Sequence, residues 1–348
     1  MTEPAQAVAR GPHHGLSADA VIGHVYWRSH FPDTNGDGIG DCRGGLRVLE
    51  HYRAMGCTAI WLAPFFESPG KDFGYDVSDF FTPDPKFGSM DDVRALTAEA
   101  HRLGMKVLFD IVPCHTSDQH PLFQQARSSR DNPYHDWYLW AEGRNGGNEP
   151  PTNAVSVFAP RTDDPAKAEG SAWTHNAQTG EWYNHTFLPE QPALNWRNPA
   201  VKKYVVDIAN FWLGQGFDGF RWDAAPHGVM AQDFALRDEE MLPVIDADDD
   251  PYNWFDHTLT KNVLENGENL SAVFVGDVVS RVRETNPEAY CVAESVVFDN
   301  EELLPFQEQG VDVLDFRFAT VAPDPREIAQ VLRDASIGQA QAPADASV

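Results

Sequence analysis

Basic residues are scarce in this sequence. Its 26 Lys and Arg residues are outnumbered by 53 Asp and Glu residues, and the formal net charge is −27. Nucleic acids and anionic membranes are bound through patches of Lys and Arg. The charge balance therefore argues against a nucleic-acid partner and against a membrane partner, whereas an acidic surface suits cation binding.

Long apolar runs are also missing. No run reaches the length of about 18 apolar residues that a membrane span needs, and residues 1–20 hold no apolar core of signal-peptide length. The sequence therefore predicts neither a membrane span nor a signal peptide.

Cysteine is rare, and no two cysteines form a C-x-x-C pair. The four cysteines are Cys42, Cys57, Cys114 and Cys291. Such wide spacing indicates neither a zinc site nor a disulfide framework. Without a signal peptide, this pattern predicts a reduced, cytoplasmic protein.

Apolar strand patterns alternate with helical patterns over most of the chain. The predicted strands are residues 21–27, 59–64, 106–112, 217–224, 289–294 and 311–318, and the predicted helices include residues 45–56, 90–103 and 200–213. Continuous apolar strands separated by helices indicate a parallel sheet covered by helices. We predict an α/β fold of the (β/α)8 TIM-barrel type rather than an open doubly wound sheet.

The pattern divides the chain into four parts. Residues 1–18 are small and polar and are predicted to form a flexible arm. Residues 19–113 hold the first three strands, and residues 114–196, rich in Pro, Gly, Asn and Trp, form a subdomain inserted after the third strand. Residues 197–348 hold strands four to six and the entry to a seventh, so about six strands of an incomplete barrel are expected.

The segment GFDGFRWDAA places an arginine and an aspartate in a strand that otherwise looks buried. Because side chains alternate along a strand, Arg221 and Asp223 point to the same face. A structural ion pair is one explanation, since buried charges are costly unless paired. The other is that Asp223 is a nucleophile that Arg221 keeps ionised by lowering its pKa.

Polar side chains follow the ends of several predicted strands. Asp110 and His115 flank the end of the third strand, and Glu294 ends the fifth. An Asp and a Glu from separate strands suit glycoside hydrolysis, in which one carboxylate attacks the sugar and the other delivers a proton. Aromatic residues of the insertion, among them Phe158, either stack on sugar rings or form the core of the subdomain.

The loop DTNGDGIGD, residues 33–41, has the composition of a site for a hard cation. Its oxygen donors are the side chains of Asp33, Asn35, Asp37 and Asp41 and the carbonyl of Ile39. An EF-hand would need Glu at the twelfth loop position, where Gly44 stands, so another scaffold is expected. We predict Ca²⁺ as the ion, with Mg²⁺ as the alternative, while an ordinary Asp/Gly turn is the competing explanation.

Taken together, these segments resemble the α-amylase superfamily of retaining α-glycosidases (glycoside hydrolase family 13), in particular its oligo-1,6-glucosidase and α-glucosidase branch. The similar segments are GYDVSDF (74–80), DIVPCHTSDQH (110–120), GFRWDAA (219–225), VAES (292–295), QPALN (191–195) and DTNGDGIGD (33–41). The resemblance covers about residues 20–348, and the combination is far more specific than any single segment.

The resemblance implies roles for individual residues. Asp223 matches the nucleophile, Glu294 the general acid/base and Arg221 the arginine that positions the nucleophile. It also implies that Ala224, which follows the nucleophile, favours α-1,4 over α-1,6 bonds. The remaining matches are Tyr75, Asp76 and His115 as sugar-binding residues, Asp110 as a supporting aspartate, and Asp33, Asn35, Asp37, Ile39 and Asp41 as the metal ligands.

The sequence departs from the family at three points. Cys114 stands where asparagine is usual, Ala193 replaces the aspartate of QPDLN, and the His-Asp pair of the fourth conserved region has no match. Three functions therefore stay open. They are a retaining α-glucosidase acting on small α-glucosides, a transglycosylating or trehalose synthase-like relative, and an inactive fragment that needs a partner chain or a C-terminal part to complete its barrel and is otherwise poorly soluble.

Overall fold

The computed structural model describes residues 14–17, 19–152, 154, 156–158, 170–227, 264–265, 268–295 and 300–314. No helix in these ranges is long and apolar enough to cross a membrane. The predictions for residues 1–13 and for residues 315–348 lie outside the described residues.

The described strands follow the predicted order along the chain. They are β1 (Ile22–Val25), β2 (Ala59–Leu62), β3 (Phe66–Glu67), β4 (Asp79–Pro83), β5 (Lys106–Ile111), β6 (Trp140–Ala141), β7 (Trp173–Asn176), β8 (Glu181–Asn184), β9 (Gly219–Trp222), β10 (Leu264–Glu265), β11 (Glu268–Asn269), β12 (Tyr290–Glu294) and β13 (Asp312–Leu314).

The described helices lie between these strands. They are α1 (Trp27–His30), α2 (Cys42–Leu46), α3 (Leu49–Ala54), α4 (Met90–Arg102), α5 (Pro121–Ala126), the single turn α6 (Arg144–Gly147), α7 (Pro199–Gly214), α8 (Leu270–Thr285) and α9 (Asn300–Gln307). The single helix predicted over residues 45–56 is wrong in part. Asp41 caps an earlier helix, α2, which ends at its C-cap Arg47, and Val48 is the N-cap of the separate helix α3.

Six strands form one parallel sheet in the order β1-β2-β5-β9-β12-β13. In a doubly wound sheet the order reverses around the first strand, so that strand lies inside the sheet. Here β1 lies at an edge and the strand order follows the chain, as in a (β/α) barrel. The barrel prediction is confirmed over these six strands.

The two faces of the sheet pack against different groups of side chains. One face packs into the main core with the helices through residues such as Ile60, Phe109 and Phe220. On the other face Leu16 lies in a small apolar cluster with Ala59, Leu108, Tyr290 and Val292. Side chains alternate along each strand, so this second face continues into Trp61, Asp110, Arg221 and Glu294 at the C-terminal strand ends.

The helix ends show why these helices begin where they do. Ser89 accepts a hydrogen bond from the Asp92 N–H, while the Asp92 side chain accepts one from Ser89 N–H, which makes a capping box before α4. Asn198 caps α7, with Pro199 at its first position. Both starts agree with the predictions from the sequence.

The insertion after β5 contains a small antiparallel sheet in the order β6-β8-β7. The first and last segments of the insertion lie side by side, because His115 pairs with Ala193 in an isolated bridge. A second isolated bridge joins Tyr138 to Leu194. The segment that follows β5 therefore meets the QPALN segment directly beside the C-terminal ends of the barrel strands.

Candidate active site

Arg221 lies at the end of β9, and its guanidinium contacts carboxylates from three chain segments. Nη1 donates to Asp110 Oδ1 at 2.7 Å and to Asp223 Oδ1, and Nη2 pairs with Glu294 Oε1. The parallel register places Asp110 of β5 directly opposite Arg221. The arginine side chain is 4% exposed, so these contacts form away from bulk water.

Asp110 is a supporting carboxylate beneath this arginine. It is fully buried, and its Oδ2 accepts hydrogen bonds from Trp61 Nε1 and Tyr75 Oη, each at 3.2 Å. The Arg221 guanidinium carbon lies 5.0 Å from the Trp61 ring centroid, in cation–π contact. Burial raises the pKa of Asp110 to about 6, against the opposing effect of Arg221.

Asp223 carries a pKa well above the ordinary value of an aspartate. Burial is the largest cause, Arg221 opposes it, and the negative charges of Glu294 and Asp110 add to it. The expectation that Arg221 would hold this pKa low is therefore wrong in its net direction. One cation faces three carboxylates here, so full ionisation would leave two uncompensated negative charges, which favours retention of a proton within the cluster.

The backbone turns sharply directly after Asp223. Ala224 has φ of +47°, a left-handed conformation that is uncommon for a residue other than glycine. Its N–H donates to Glu294 Oε2 at 3.1 Å, and the thiol of Cys114 contacts the carbonyls of Asp223 and Ala224 at 3.6 and 3.3 Å. The turn thus links the chain on which Asp223 stands to Glu294, with cysteine at the position where the family usually has asparagine.

A cavity of about 240 Å³ opens directly onto this cluster. Seven of the residues singled out from the sequence line it, and Asp110 lies behind them. The lining comprises Asp72, Tyr75, His115, Val157, Phe158, Phe187, Arg221, Asp223, Ala224, Pro226, His227 and Glu294. The charged pair Arg221–Asp223 of the GFDGFRWDAA segment is therefore part of a cavity wall rather than a closed structural ion pair.

Asp76 is not among the lining residues. It is fully buried, and its carboxylate accepts hydrogen bonds from Ser68 Oγ, Lys71 N and Asp72 N at 2.9–3.0 Å. These hydrogen bonds stabilise the loop formed by residues 68–76. Asp72, which the sequence reasoning missed, lies on the cavity wall instead, and burial raises its pKa.

His115 and Phe158 occupy different depths of the cavity wall. His115 is 2% exposed, and burial lowers its pKa to about 4, so the imidazole is neutral at pH 7. Phe158 is 49% exposed and lies 5.6 Å from the Phe187 ring, so of the two readings of this side chain the structure favours a cavity wall over a subdomain core. Phe187 and His227, in contact with each other, were missed because no pattern marks them in the sequence.

The loop 33–41 offers oxygen donors, but its carboxylates already bind the chain itself. Asp33 accepts hydrogen bonds from the N–H groups of Asn35, Gly36 and Gly38, and those of Gly38 and Gly36 are the main cause of its lowered pKa. Asp41 accepts from Thr34 and from Gly44 N, where it caps α2. Across the described ranges, no three His, Cys, Asp or Glu side chains are grouped closely enough to hold a metal ion.

Some of the oxygen donors of this loop, but not all, are therefore placed to bind a hard cation. Asp33, Asn35 and Asp37 lie together, and Asn35 Nδ2 donates to Asp37 Oδ2 at 3.2 Å. Asp41 would first have to give up its bonds to Thr34 and to α2. Oxygen ligands of this type suit Ca²⁺ and Mg²⁺ rather than softer metals.

Comparison with known proteins agrees with this geometry. The family model described as the alpha amylase catalytic domain matches residues 24–335. The chain belongs to the alpha-amylase family. This assignment accounts for the parallel barrel sheet with polar residues at its C-terminal strand ends.

Two curated relatives are glucosidases by name. A probable alpha-glucosidase of Rhizobium meliloti is 40% identical over 333 residues, which cover 90% of this chain and 56% of the relative. An oligo-1,6-glucosidase of Parageobacillus thermoglucosidasius is 44% identical over 205 residues, which cover 59% of this chain and 34% of that enzyme. The chain thus spans at most a little over half the length of either relative.

Solved structures with a similar fold are also found. An alpha-glucosyl transfer enzyme, XgtA, matches 95% of this chain and 58% of its own, with a TM-score of 0.77 and 33% identity. An isomaltulose synthase mutant from Erwinia rhapontici NX5, in complex with sucrose, matches 93% of this chain and 55% of its own, with a TM-score of 0.78 and 27% identity.

Proposed function

We propose that this chain carries the catalytic centre of a retaining α-glucosidase that acts on short α-glucosides. The observation on which the proposal rests is that one buried guanidinium, Arg221, holds the carboxylates of Asp223 and Glu294 side by side at the wall of one cavity. Carboxyl groups about 5–5.5 Å apart are typical of retaining glycosidases, and inverting enzymes need a wider gap for water. A shared guanidinium favours the shorter separation.

The proposed reaction has two steps. In the first, Asp223 attacks the anomeric carbon while Glu294 protonates the glycosidic oxygen, so that an ester to Asp223 forms and the bond to the leaving alcohol breaks. In the second, Glu294 takes a proton from water, whose oxygen attacks the same carbon and releases Asp223. The first step requires an ionised Asp223 and a protonated Glu294.

The cavity suits a small substrate. Its volume of about 240 Å³ lies below the range of about 300–1,000 Å³ common for drug-sized ligands. Tyr75, His115 and Asp72 supply polar contacts and Phe158 an apolar wall for a sugar ring. The small side chain of Ala224, beside Asp223, supports a preference for α-1,4 bonds through the resemblance stated above.

The proposal is tested with p-nitrophenyl α-glucoside. Turnover by the 348-residue chain should fall by about 10⁴-fold in Asp223→Asn, because an amide cannot form the ester. Asp207→Asn, on the exposed side of α7, is the matched control and should keep the original rate. An inactive original chain, or an Asp223→Asn variant with unchanged turnover, would contradict the proposal.

A second candidate is glucosyl transfer, since the structure named XgtA is that of an alpha-glucosyl transfer enzyme and matches 95% of this chain. The two reactions share the first step and differ in the acceptor, which is water or a sugar hydroxyl. Chromatography of products from maltose separates them, because hydrolysis gives glucose alone and transfer gives longer or rearranged oligosaccharides.

We also propose that loop 33–41 binds Ca²⁺, with Mg²⁺ as the alternative, through Asp33, Asn35, Asp37, Ile39 and Asp41. The support is the run of hard oxygen donors, within which Gly36 and Gly38, with φ near +87°, permit the tight loop. A cytoplasmic location is proposed as well, and it is supported by four buried cysteines that are all unpaired.

A further inference from the structure

Gln191, at the start of the QPALN segment, is a fully buried amide whose orientation is fixed from both ends. Its Oε1 accepts the Leu188 N–H at 3.0 Å, and its Nε2 donates to Asp72 Oδ2 at 2.9 Å. A backbone N–H only donates and an ionised carboxylate only accepts. The oxygen and the nitrogen of the amide are therefore assigned by their partners.

The same amide nitrogen reaches His115. Gln191 Nε2 lies 3.0 Å from His115 Nε2, and that ring nitrogen also lies 3.0 Å from the carbonyl oxygen of Tyr75. A neutral imidazole has one N–H, so Nε2 either accepts from Gln191 or donates to Tyr75. The tautomer of His115 depends on which of the two partners prevails.

We propose that Gln191 is a positioning residue that holds the Asp72 carboxylate and selects the His115 tautomer with its proton on Nδ1. The inference rests on the proposed function, since both partners line the cavity assigned to the sugar. His115 Nδ1 is buried and has no hydrogen-bond partner within the part of the chain that the structure describes. The Asp72 carboxylate, held by Gln191 on the cavity wall, is then an acceptor for a sugar hydroxyl.

Nitrogen-15 NMR of histidine-labelled protein at pH 7 tests the tautomer directly. The His115 signals are assigned by their loss in His115→Gln. The original chain should show Nδ1–H, and Gln191→Met should show Nε2–H, because the Tyr75 carbonyl is then the remaining partner. Gln191→Glu, which replaces the donor with an acceptor at nearly the same volume, should give the same switch.

Gln215→Met is the control for a glutamine-to-methionine change. Gln215 lies at the end of α7, where its side-chain oxygen accepts a hydrogen bond from Arg94. Replacement of Gln215 by methionine should leave His115 in the Nδ1–H form. An original chain with Nε2–H, or a tautomer that is unchanged in both Gln191 variants, overturns the inference.

The kinetic consequence is a fall of roughly tenfold in kcat/KM for p-nitrophenyl α-glucoside in Gln191→Met, as expected for loss of a hydrogen bond to a charged group. The two proposals fail separately, because the NMR readout needs no turnover. A tautomer switch in an inactive chain would overturn the proposed function alone. A constant tautomer in an active chain would overturn the role of Gln191 alone.

Discussion

Arg221 donates to Asp110 and to Asp223 and pairs with Glu294, and it is the shared neighbour of all three carboxylates. The sequence shows only the pair two positions apart, because the third and fourth members come from other strands. The strand register supplies them, since Asp110 lies opposite Arg221 across β5 and β9. A buried cation with three acidic neighbours is costly as a structural element, which is why its position at an open cavity indicates function.

Gly219 explains the small residue that precedes this arginine. A Cβ atom at Gly219 would lie 2.2 Å from the Tyr290 carbonyl oxygen on the neighbouring strand β12. Gly219→Ala should therefore push β9 and β12 apart and lower the free energy of unfolding by about 1–3 kcal/mol. Urea denaturation measures this loss.

Gly214→Ala is the matched control for that change. Nothing lies within 4 Å of a Cβ atom built at Gly214, at the end of α7, so alanine should leave stability unchanged or raise it by up to about 1 kcal/mol. Equal effects of the two substitutions would show that the close approach of β9 and β12 does not limit residue 219.

Asp76 and Asp72 show why a residue role cannot be assigned from a sequence motif alone. The GYD segment singles out Asp76, yet its carboxylate faces its own loop and accepts from the N–H groups of residues 71 and 72. The cavity receives Asp72 instead. Which of two aspartates four positions apart faces a cavity depends on the loop backbone, including the left-handed Phe73 (φ +51°), and that conformation has no signature in the sequence.

At the scale of elements, strand and helix positions followed from periodicity because each element buries one apolar face. The helices predicted over residues 90–103 and 200–213 match α4 and α7 within one residue at each end. For loop 33–41, the sequence showed which oxygen donors are present but not which groups they bind. Its carboxylates bind neighbouring N–H groups and Asp41 caps α2, which the spacing of donors does not reveal.

Metal binding by loop 33–41 predicts a change in thermal stability. After EDTA treatment, added Ca²⁺ should stabilise the chain by about 2.7 kcal/mol once it exceeds its Kd a hundredfold, and raise Tm accordingly. Asp37→Asn should abolish the rise, whereas Asp131→Asn, an exposed aspartate elsewhere, should not. The same Ca²⁺-dependent rise in Asp37→Asn would place the effect outside this loop, and a larger rise with Mg²⁺ would identify Mg²⁺ as the ion.

At the scale of the whole molecule, the order of the six strands was predictable because alternating strands and helices leave few arrangements. The cavity was not, because its wall combines the loop between β3 and β4, the segment after β5, β9 with the segment after it, the end of β12, and the insertion that holds β6, β7 and β8. Long-range contacts of this kind, such as that of Gln191 with Asp72, join positions 119 residues apart. Sequence patterns report local structure. They therefore predicted many of the residues of the cavity wall but not how those residues are arranged in space.

Three buried histidines make the stability of the whole molecule depend on pH. Burial lowers the pKa of His115, His120 and His185 to about 4 in the folded chain. The unfolded chain takes up these protons near pH 6.5, so stability is fully present above that pH and is lost as the pH falls towards 4. Asp110, with a folded pKa of about 6, acts in the opposite direction, as do Asp223 and Asp72, because burial raises the pKa of each above the unfolded value.

The unfolding free energy should therefore be lower at pH 5 than at pH 7.5, by up to ~2 kcal/mol for each histidine, reduced by the opposing contributions of Asp110, Asp223 and Asp72. Urea denaturation at both pH values measures the difference. His120→Gln removes one of the three histidines and should reduce the difference by up to about 2 kcal/mol, even if the variant is less stable at both pH values. An unchanged difference would mean that His120 titrates alike in the folded and unfolded chains, and its burial would then not contribute to acid sensitivity.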